Sequence, residues 1–315
     1  MTECFIGIDT SNYTTSAAIC TKDGEIVANI KAPLPVRAGE CGLRQSDAVF
    51  AHVKNLPTVM QSLCEALRGM KPVAVGVSAT PRPAEGSYMP CFLSGIAAAE
   101  SFAAPLDIPV LRFSHQEGHI MAAAYSAKAL GLLQQEQFAA FHVSGGTTEV
   151  LLAKPHQSGF TVELLAATAD INAGQAIDRI GVMLGLAFPC GKALEALAAQ
   201  NMKKIPKSRI CVKDGFCNLS GLENMATKLW KESGDAALVA AFTLQFIGDT
   251  LVAMTQALDA RIPSISVVYA GGVMSNRYLQ ARLGIRENTY FAEPQFSADN
   301  AAGIALLCRK QFLKI

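Results

Sequence analysis

The chain has 315 residues, 50% of them apolar and 17% charged, with 27 Lys plus Arg against 26 Asp plus Glu and a formal net charge of +1. At roughly 100 to 200 residues per domain this length predicts two domains, and the composition excludes the low-hydrophobicity, high-charge regime of disorder. With charge so balanced there is no global basic field to draw in nucleic acid or membrane, so an RNA partner needs a local basic patch or a helper subunit.

Met1-Thr2-Glu3 leads directly into strand-like Cys4-Phe5-Ile6-Gly7-Ile8 without the basic and apolar regions of a secretory signal, which predicts a cytoplasmic protein. Residues 5–19 read as strand, polar turn and strand, because β-rich runs flank a cluster of Asp, Ser, Asn and Thr. Two short buried strands follow at 72–77 and 108–111, with a small-residue helix at 95–104 between them. Residues 141–152 repeat the opening pattern, again with small hydroxyl residues and glycines between two apolar strands, which predicts a duplicated fold. Helical runs at 177–184, 193–199 and 236–258, with a buried strand at 267–270, complete an α/β architecture. The run 236–258 carries Gln245 and Asp249, too polar for a bilayer span, and reads as a buried helix with no membrane contact. Residues 201–215 read as a Lys- and Pro-containing loop. Nine cysteines are scattered without a C-x-x-C pair, as expected of reduced core thiols.

His115 and His119 lie four residues apart, which on a helix points both imidazoles from one face at the spacing two ligands of one metal ion require. The order H-x-E-x-H does not put Glu117 where a zinc peptidase keeps its general base, so a metalloprotease is disfavoured. A bland alternative is a pair of surface histidines on a helix frayed by Gly118. A carboxylate is the usual third ligand of such an ion. Asp299 is the candidate, although its place before the helical run 301–307 equally suits an N-cap.

Ser144, Gly145, Gly146, Thr147 and Thr148 combine glycines that let backbone approach an anion with hydroxyl donors; a plain tight hairpin is the alternative. Gly271 and Gly272 follow a buried strand, and Asn276 opens a helical run, so a nucleotide could lie against that backbone. Neither pair forms G-x-G-x-x-G, and Cys190-Gly191-Lys192-Ala193 lacks the spacing and hydroxyl of a Walker loop. Asp178 could accept from ribose hydroxyls with Gly191 supplying a close turn, or could be a helix-surface residue beside a loop glycine. Lys203, Lys204, Lys207, Arg209 and Lys213 make a short basic stretch that suits RNA phosphates or plain solvent.

Taken in order, these pieces resemble the TsaD family, the tRNA N6-adenosine threonylcarbamoyltransferases once labelled glycoproteases. The resemblance runs through Gly7-Ile-Asp-Thr-Ser11, Ala51-His52, His115 to His119, Val143-Ser-Gly-Gly146, Ala173-Gly-Gln-Ala-Ile-Asp178, Leu184-Gly-Leu-Ala-Phe-Pro189, Leu219-Ser-Gly-Leu222, Ala270-Gly-Gly-Val273 with Asn276, and Asp299-Asn-Ala301. It implies a duplicated actin/Hsp70/sugar-kinase-like fold with a nucleotide cleft, an N-terminal lobe over 1–131 with 296–315 packing back on it, and a C-terminal lobe over 132–295. It further implies one divalent iron or zinc ion held by His115, His119 and Asp299. Threonylcarbamoyl-AMP would be held by residues 144–148, Asp178, Gly191, Asn276 and the Gly271-Gly272 turn. The acceptor would be a tRNA adenosine, and the partners a smaller paralogous lobe protein and an ATPase subunit. The family's C-D-E-T is here Asn12-Tyr-Thr-Thr15, its S-G-G-H-T histidine is Thr147, and its S-G-L-K lysine is Glu223, as in a divergent paralog. Those lost charges favour one rival expectation, a carbamoyltransferase-like enzyme with another acceptor; a second rival is a non-catalytic scaffold of the tRNA-modification complex, which has little reason to keep His115, His119 and Asp299 together.

Overall fold

The computed structural model describes residues 2–11, 13–35, 43–297 and 301–315, and the chain divides into two compact units. The first comprises residues 1–130, 154–162 and 295–315, the second residues 131–153 and 163–294.

In the first unit the strands β1 (Thr2–Ser11), β2 (Thr14–Thr21), β3 (Ile26–Pro33), β4 (Met70–Thr80) and β5 (Val110–Ser114) form one sheet in the order β3-β2-β1-β4-β5. β1 pairs antiparallel with β2 and parallel with β4, and every residue from Cys4 to Ser11 is buried, as befits a central strand covered on both faces. Helices α1 (Gln45–Ala66), α2 (Phe92–Ala103) and α3 (His115–Ser126) join the strands. The strand expected at 108–111 starts at Val110, because Pro109 has no N–H for the ladder while its carbonyl accepts from Val75 N.

The second unit repeats this order. Strands β6 (Phe138–Val143), β7 (Thr148–His156), β8 (Gly159–Ala167), β11 (Val267–Ala270) and β12 (Thr289–Phe291) form a sheet in the order β12-β11-β6-β7-β8, with the short hairpin β9 (Cys211–Lys213) and β10 (Phe216–Asn218) apart from it. β6 pairs antiparallel with β7 and parallel with β11, as β1 does with β2 and β4, so the duplication read from the sequence is present strand for strand. Helices α4 (Ala173–Met183), α5 (Gly191–Ala198), α6 (Gly221–Ser233), α7 (Ala236–Arg261) and α8 (Arg277–Leu283) surround it, followed by the single turn α9 (Pro294–Ser297) and then α10 (Ala302–Leu313), which belongs to the first unit. Among the described residues α7 alone is long and apolar enough to cross a membrane, but 72% of its apolar window is buried, which makes it a core helix.

Glycines set where α10 lies. A Cβ at Gly7 of β1 would meet Ala301 O at 2.4 Å, and one at Gly76 of β4 would meet Cys308 Cβ at 2.8 Å, so the two strands offer a smooth floor to the helix. α10 also touches α3 backbone to backbone: a Cβ at Gly303 would lie 1.9 Å from Gly118 O. Gly118 is therefore a contact point and not a point of fraying. The N-cap of α10 is Ala301, so the capping place expected for Asp299 is taken by another residue; Asp299 itself lies outside the described residues. All eight described cysteines are free thiols, and burial pushes those of Cys4 and Cys91 up to about 11.

Candidate functional site

Two clusters carry chemistry, one in each unit. In the first, α3 begins at the end of β5 with Ser114 as its cap: Ser114 Oγ accepts from Glu117 N at 3.2 Å, and Glu117 Oε2 accepts from Ser114 N at 2.8 Å. Glu117 Oε1 also accepts from Phe160 N at 3.0 Å, so this buried carboxylate is occupied in holding the helix start. The cap fixes His115 and His119 on one face with their Nε2 atoms 2.8 Å apart. Asp9, fully buried on β1, places Oδ1 3.1 Å from His115 Nδ1, while its Oδ2 accepts from Ser11 Oγ at 2.9 Å. With Nδ1–H donating to the carboxylate, His115 Nε2 is left as the lone-pair nitrogen that faces His119.

Two convergent imidazole nitrogens with a carboxylate behind one of them are the donor set of a borderline metal ion and its orienting outer shell. No group of three candidate ligands occurs among the described residues, and the third expected ligand, Asp299, is not one of those residues. His52 is a further buried imidazole of this unit, on α1, with Nδ1 2.8 Å from Thr15 Oγ1; burial lowers its pKa, against the raising pull of the Ser11 backbone and Asp9.

In the second unit a cavity of about 750 Å³ is lined by Gly145, Asp178, Gly191, Gly272 and Asn276, all expected from the sequence, together with Lys192, Glu195 and Arg277, which were not. Such a volume suits a nucleotide-sized ligand. Gly271 makes the approach possible: its φ is +101°, and a Cβ there would meet Val143 O at 2.2 Å. At Gly174 a Cβ would meet Gly145 N at 2.6 Å, so the first turn of α4 sits directly on the β6–β7 turn. Asp178 Oδ1 accepts from Cys190 N at 2.8 Å and so shapes the entry to α5, while Glu195 Oε1 accepts from Arg277 N at 2.8 Å and ties α5 to α8. Asn276 Oδ1 caps α8 by accepting from Leu279 N at 3.1 Å.

The remaining expected ligand contacts divide differently. Ser144 Oγ accepts from Gly146 N at 3.2 Å and Thr147 N at 3.1 Å, and Thr148 Oγ1 accepts from Ala173 N at 2.9 Å. Ser144, Gly146, Thr147, Thr148 and Gly271 thus build the turn beside the cavity, and Gly145 lines it. Asp170 was missed altogether. Its carboxylate accepts from Ser220 Oγ at 2.6 Å, Leu219 N at 2.7 Å, Ile171 N at 2.7 Å and Ser220 N at 3.0 Å, fixing the turn that opens α6. Burial alone would raise the pKa of Asp170, but these hydrogen bonds outweigh it and hold the carboxyl well below the usual range.

The profile of the TsaD family, described as tRNA N6-adenosine threonylcarbamoyltransferase, matches residues 26–306. Among curated relatives bearing that name, one from Phocaeicola vulgatus is 29% identical over 97% of this chain and 93% of its own length. Another, from Thermosipho melanesiensis, is 29% identical over 98% of this chain and 94% of its own. Solved structures share the fold at low identity. Full-length HypF in a phosphate- and nucleotide-bound form gives a TM-score of 0.60 at 12% identity, over 98% of this chain and 55% of that one. A ROK family glucokinase from Streptomyces griseus gives 0.53 at 14% identity, over 98% and 99%.

Proposed function

The chain belongs to the TsaD family, and from that premise we propose that it transfers a threonylcarbamoyl group from threonylcarbamoyl-AMP to N6 of a tRNA adenosine in the cytoplasm. The observation that carries the reading is the second-unit cavity, whose glycine-lined wall and Asp178, Lys192 and Arg277 offer close backbone, a hydroxyl acceptor and cations to an adenylate. The amine nitrogen attacks the carbamoyl carbonyl, the bond to the phosphate oxygen breaks, AMP leaves, and the amine gives up its proton. Because the donor arrives activated, the residues have only to bind, align and stabilise developing charge.

His115 and His119 would hold a divalent iron or zinc ion, with Asp299 as the third ligand, and the ion would supply Lewis-acid polarisation of an oxygen. Asp9 keeps His115 Nε2 facing His119. Gly145, Asp178, Gly191, Gly272 and Asn276 would contact the adenylate directly, with Ser144, Gly146, Thr147, Thr148 and Gly271 holding the adjoining turn in shape. A smaller paralogous lobe protein and an ATPase would act with the chain. Phe50 at 73% exposure and Val53 at 57%, three apart on α1, support a partner-covered helix face.

The test is AMP release from threonylcarbamoyl-AMP. Release that depends on added unmodified tRNA is the expected result. Release that is equal with small amines in place of tRNA would move the assignment to a carbamoyltransferase-like enzyme with another acceptor.

A further inference from the structure

Residues 201–216 of the second unit hold Lys203, Lys204, Lys207, Arg209 and Lys213 against the single acid Asp214, in a chain whose net charge is +1. Lys203 is paired with Asp235 at 2.8 Å; the other four cations are exposed and make no ion pair among the described residues. The segment is held in place from below. Gln245 Nε2 of α7 donates to Pro206 O at 3.1 Å, Ser208 Oγ donates to the Asp249 carboxylate, and Asn201 exchanges hydrogen bonds with the Lys203 backbone. Fixed backbone carrying unpaired cations loses little ordering entropy when it meets a polyanion.

The segment follows directly on α5, whose first residues Gly191 and Lys192 line the cavity. Eight residues of helix span about 12 Å, so the far end of α5, after which the basic segment follows, lies about that far from Gly191, and Glu195 of the same helix is also in the cavity wall. Beyond the other end of α5 stands Phe188, 75% exposed beside the cavity residue Pro189. An exposed aromatic ring next to a ligand cavity, with a basic track at the far end of the same helix, is the combination that binds unpaired bases and their phosphates.

We propose that Phe188 and the segment 201–216 form the surface on which the tRNA docks, Phe188 stacking on a base and Lys204, Lys207, Arg209 and Lys213 neutralising phosphates. This rests on the tRNA-acceptor reading and adds to it the surface that meets the RNA.

The test is tRNA binding by the full chain, without adenylate, across salt concentrations. Each phosphate contact removed should flatten the log-log salt slope by about 0.7, so replacing Lys204, Lys207, Arg209 and Lys213 by Ala together should flatten it by up to about 3. Phe188→Ala should weaken binding roughly 5- to 100-fold with the slope kept. Lys203→Ala, already paired, should leave the slope nearly unchanged. Nucleotide affinity and melting temperature should match the parent in every variant, which separates loss of the surface from loss of the fold. An unaltered slope in the fourfold variant, or a parent chain that binds tRNA with no salt dependence, would overturn the proposal. Salt-dependent binding lost in the fourfold variant, in a chain that releases no AMP with tRNA, would leave this surface standing and remove the transfer reading instead.

Discussion

Asp9 and His115 are 106 residues apart in sequence, yet Asp9 Oδ1, near the end of the buried run Cys4–Ser11 of β1, lies 3.1 Å from His115 Nδ1. The carboxylate selects which ring nitrogen carries the proton and turns the other toward His119. Asp9→Asn keeps the shape but can present an amide N–H to Nδ1, which reverses the tautomer. Metal affinity is expected to fall roughly 10- to 100-fold, measured by titration with Fe(II) or Zn(II), with the melting temperature little changed. An Asn variant that binds metal as the parent does would show that the carboxylate has no orienting role.

The approach of α10 to α3 leaves no room for a side chain at Gly303, where a Cβ would lie 1.9 Å from Gly118 O. Gly303→Ala forces the two helices apart and should cost at least about 1–3 kcal/mol, read as a lower midpoint in urea. Because His115 and His119 ride on α3, metal affinity should fall with it. Gly145→Ala is the control, since nothing lies within 4 Å of its added Cβ, and it should retain stability.

Lys192 stands at the first turn of α5 in the wall of the cavity, and Arg277, at the first turn of α8, lines it too. A charge-assisted hydrogen bond contributes about 1.5–3 kcal/mol. Lys192→Ala should therefore weaken adenylate binding by roughly tenfold or more, seen by calorimetry, with the melting temperature unchanged because the side chain is exposed. Equal affinity for AMP and for uncharged adenosine in the parent chain would show that no cation there reads the phosphate.

Acid should destabilise the protein in two steps. Burial lowers the pKa of His52 below its ordinary 6.5, so the fold favours the neutral ring. That contribution is complete above about pH 6.5 and is lost as pH falls toward the folded value. Asp170 is also lowered, so its contribution is present above the ordinary carboxylate value of about 4 and is lost only in more acidic solution. Melting temperature against pH should show both declines. His52→Gln should remove the first and Asp170→Asn the second, whereas a decline near pH 6 that persists in His52→Gln would assign it to another group.

What was legible in the sequence follows from the range of each interaction. The i, i+4 histidines and the repeated strand-turn-strand are local patterns, and the sheets and α3 realise them. Asp9 stood out only as part of the Gly7–Ser11 motif, and its pairing with His115 was not legible because the partner follows a different strand; Gly118 looked like a weak point because its contact, Gly303, lies far away in the chain. Lys192, Glu195 and Arg277 read as ordinary charged helix starts, since only folding turns α5 and α8 toward one cavity. The bond from Ala173 N–H to Thr148 Oγ1, which satisfies a helix start, joins segments 25 residues apart and so left no local pattern. The one available signal for Asp170 was its place two residues before Asn172, in a polar turn leading into a helix.

The most direct measurement combines the purified chain, its partner proteins, threonylcarbamoyl-AMP and unmodified tRNA, followed by mass spectrometry of the digested nucleosides. The account predicts threonylcarbamoyladenosine, lost in His115→Ala and in Asp299→Ala and reduced in Lys192→Ala. Unmodified adenosine throughout, from a chain that still binds the adenylate and the metal, would contradict it.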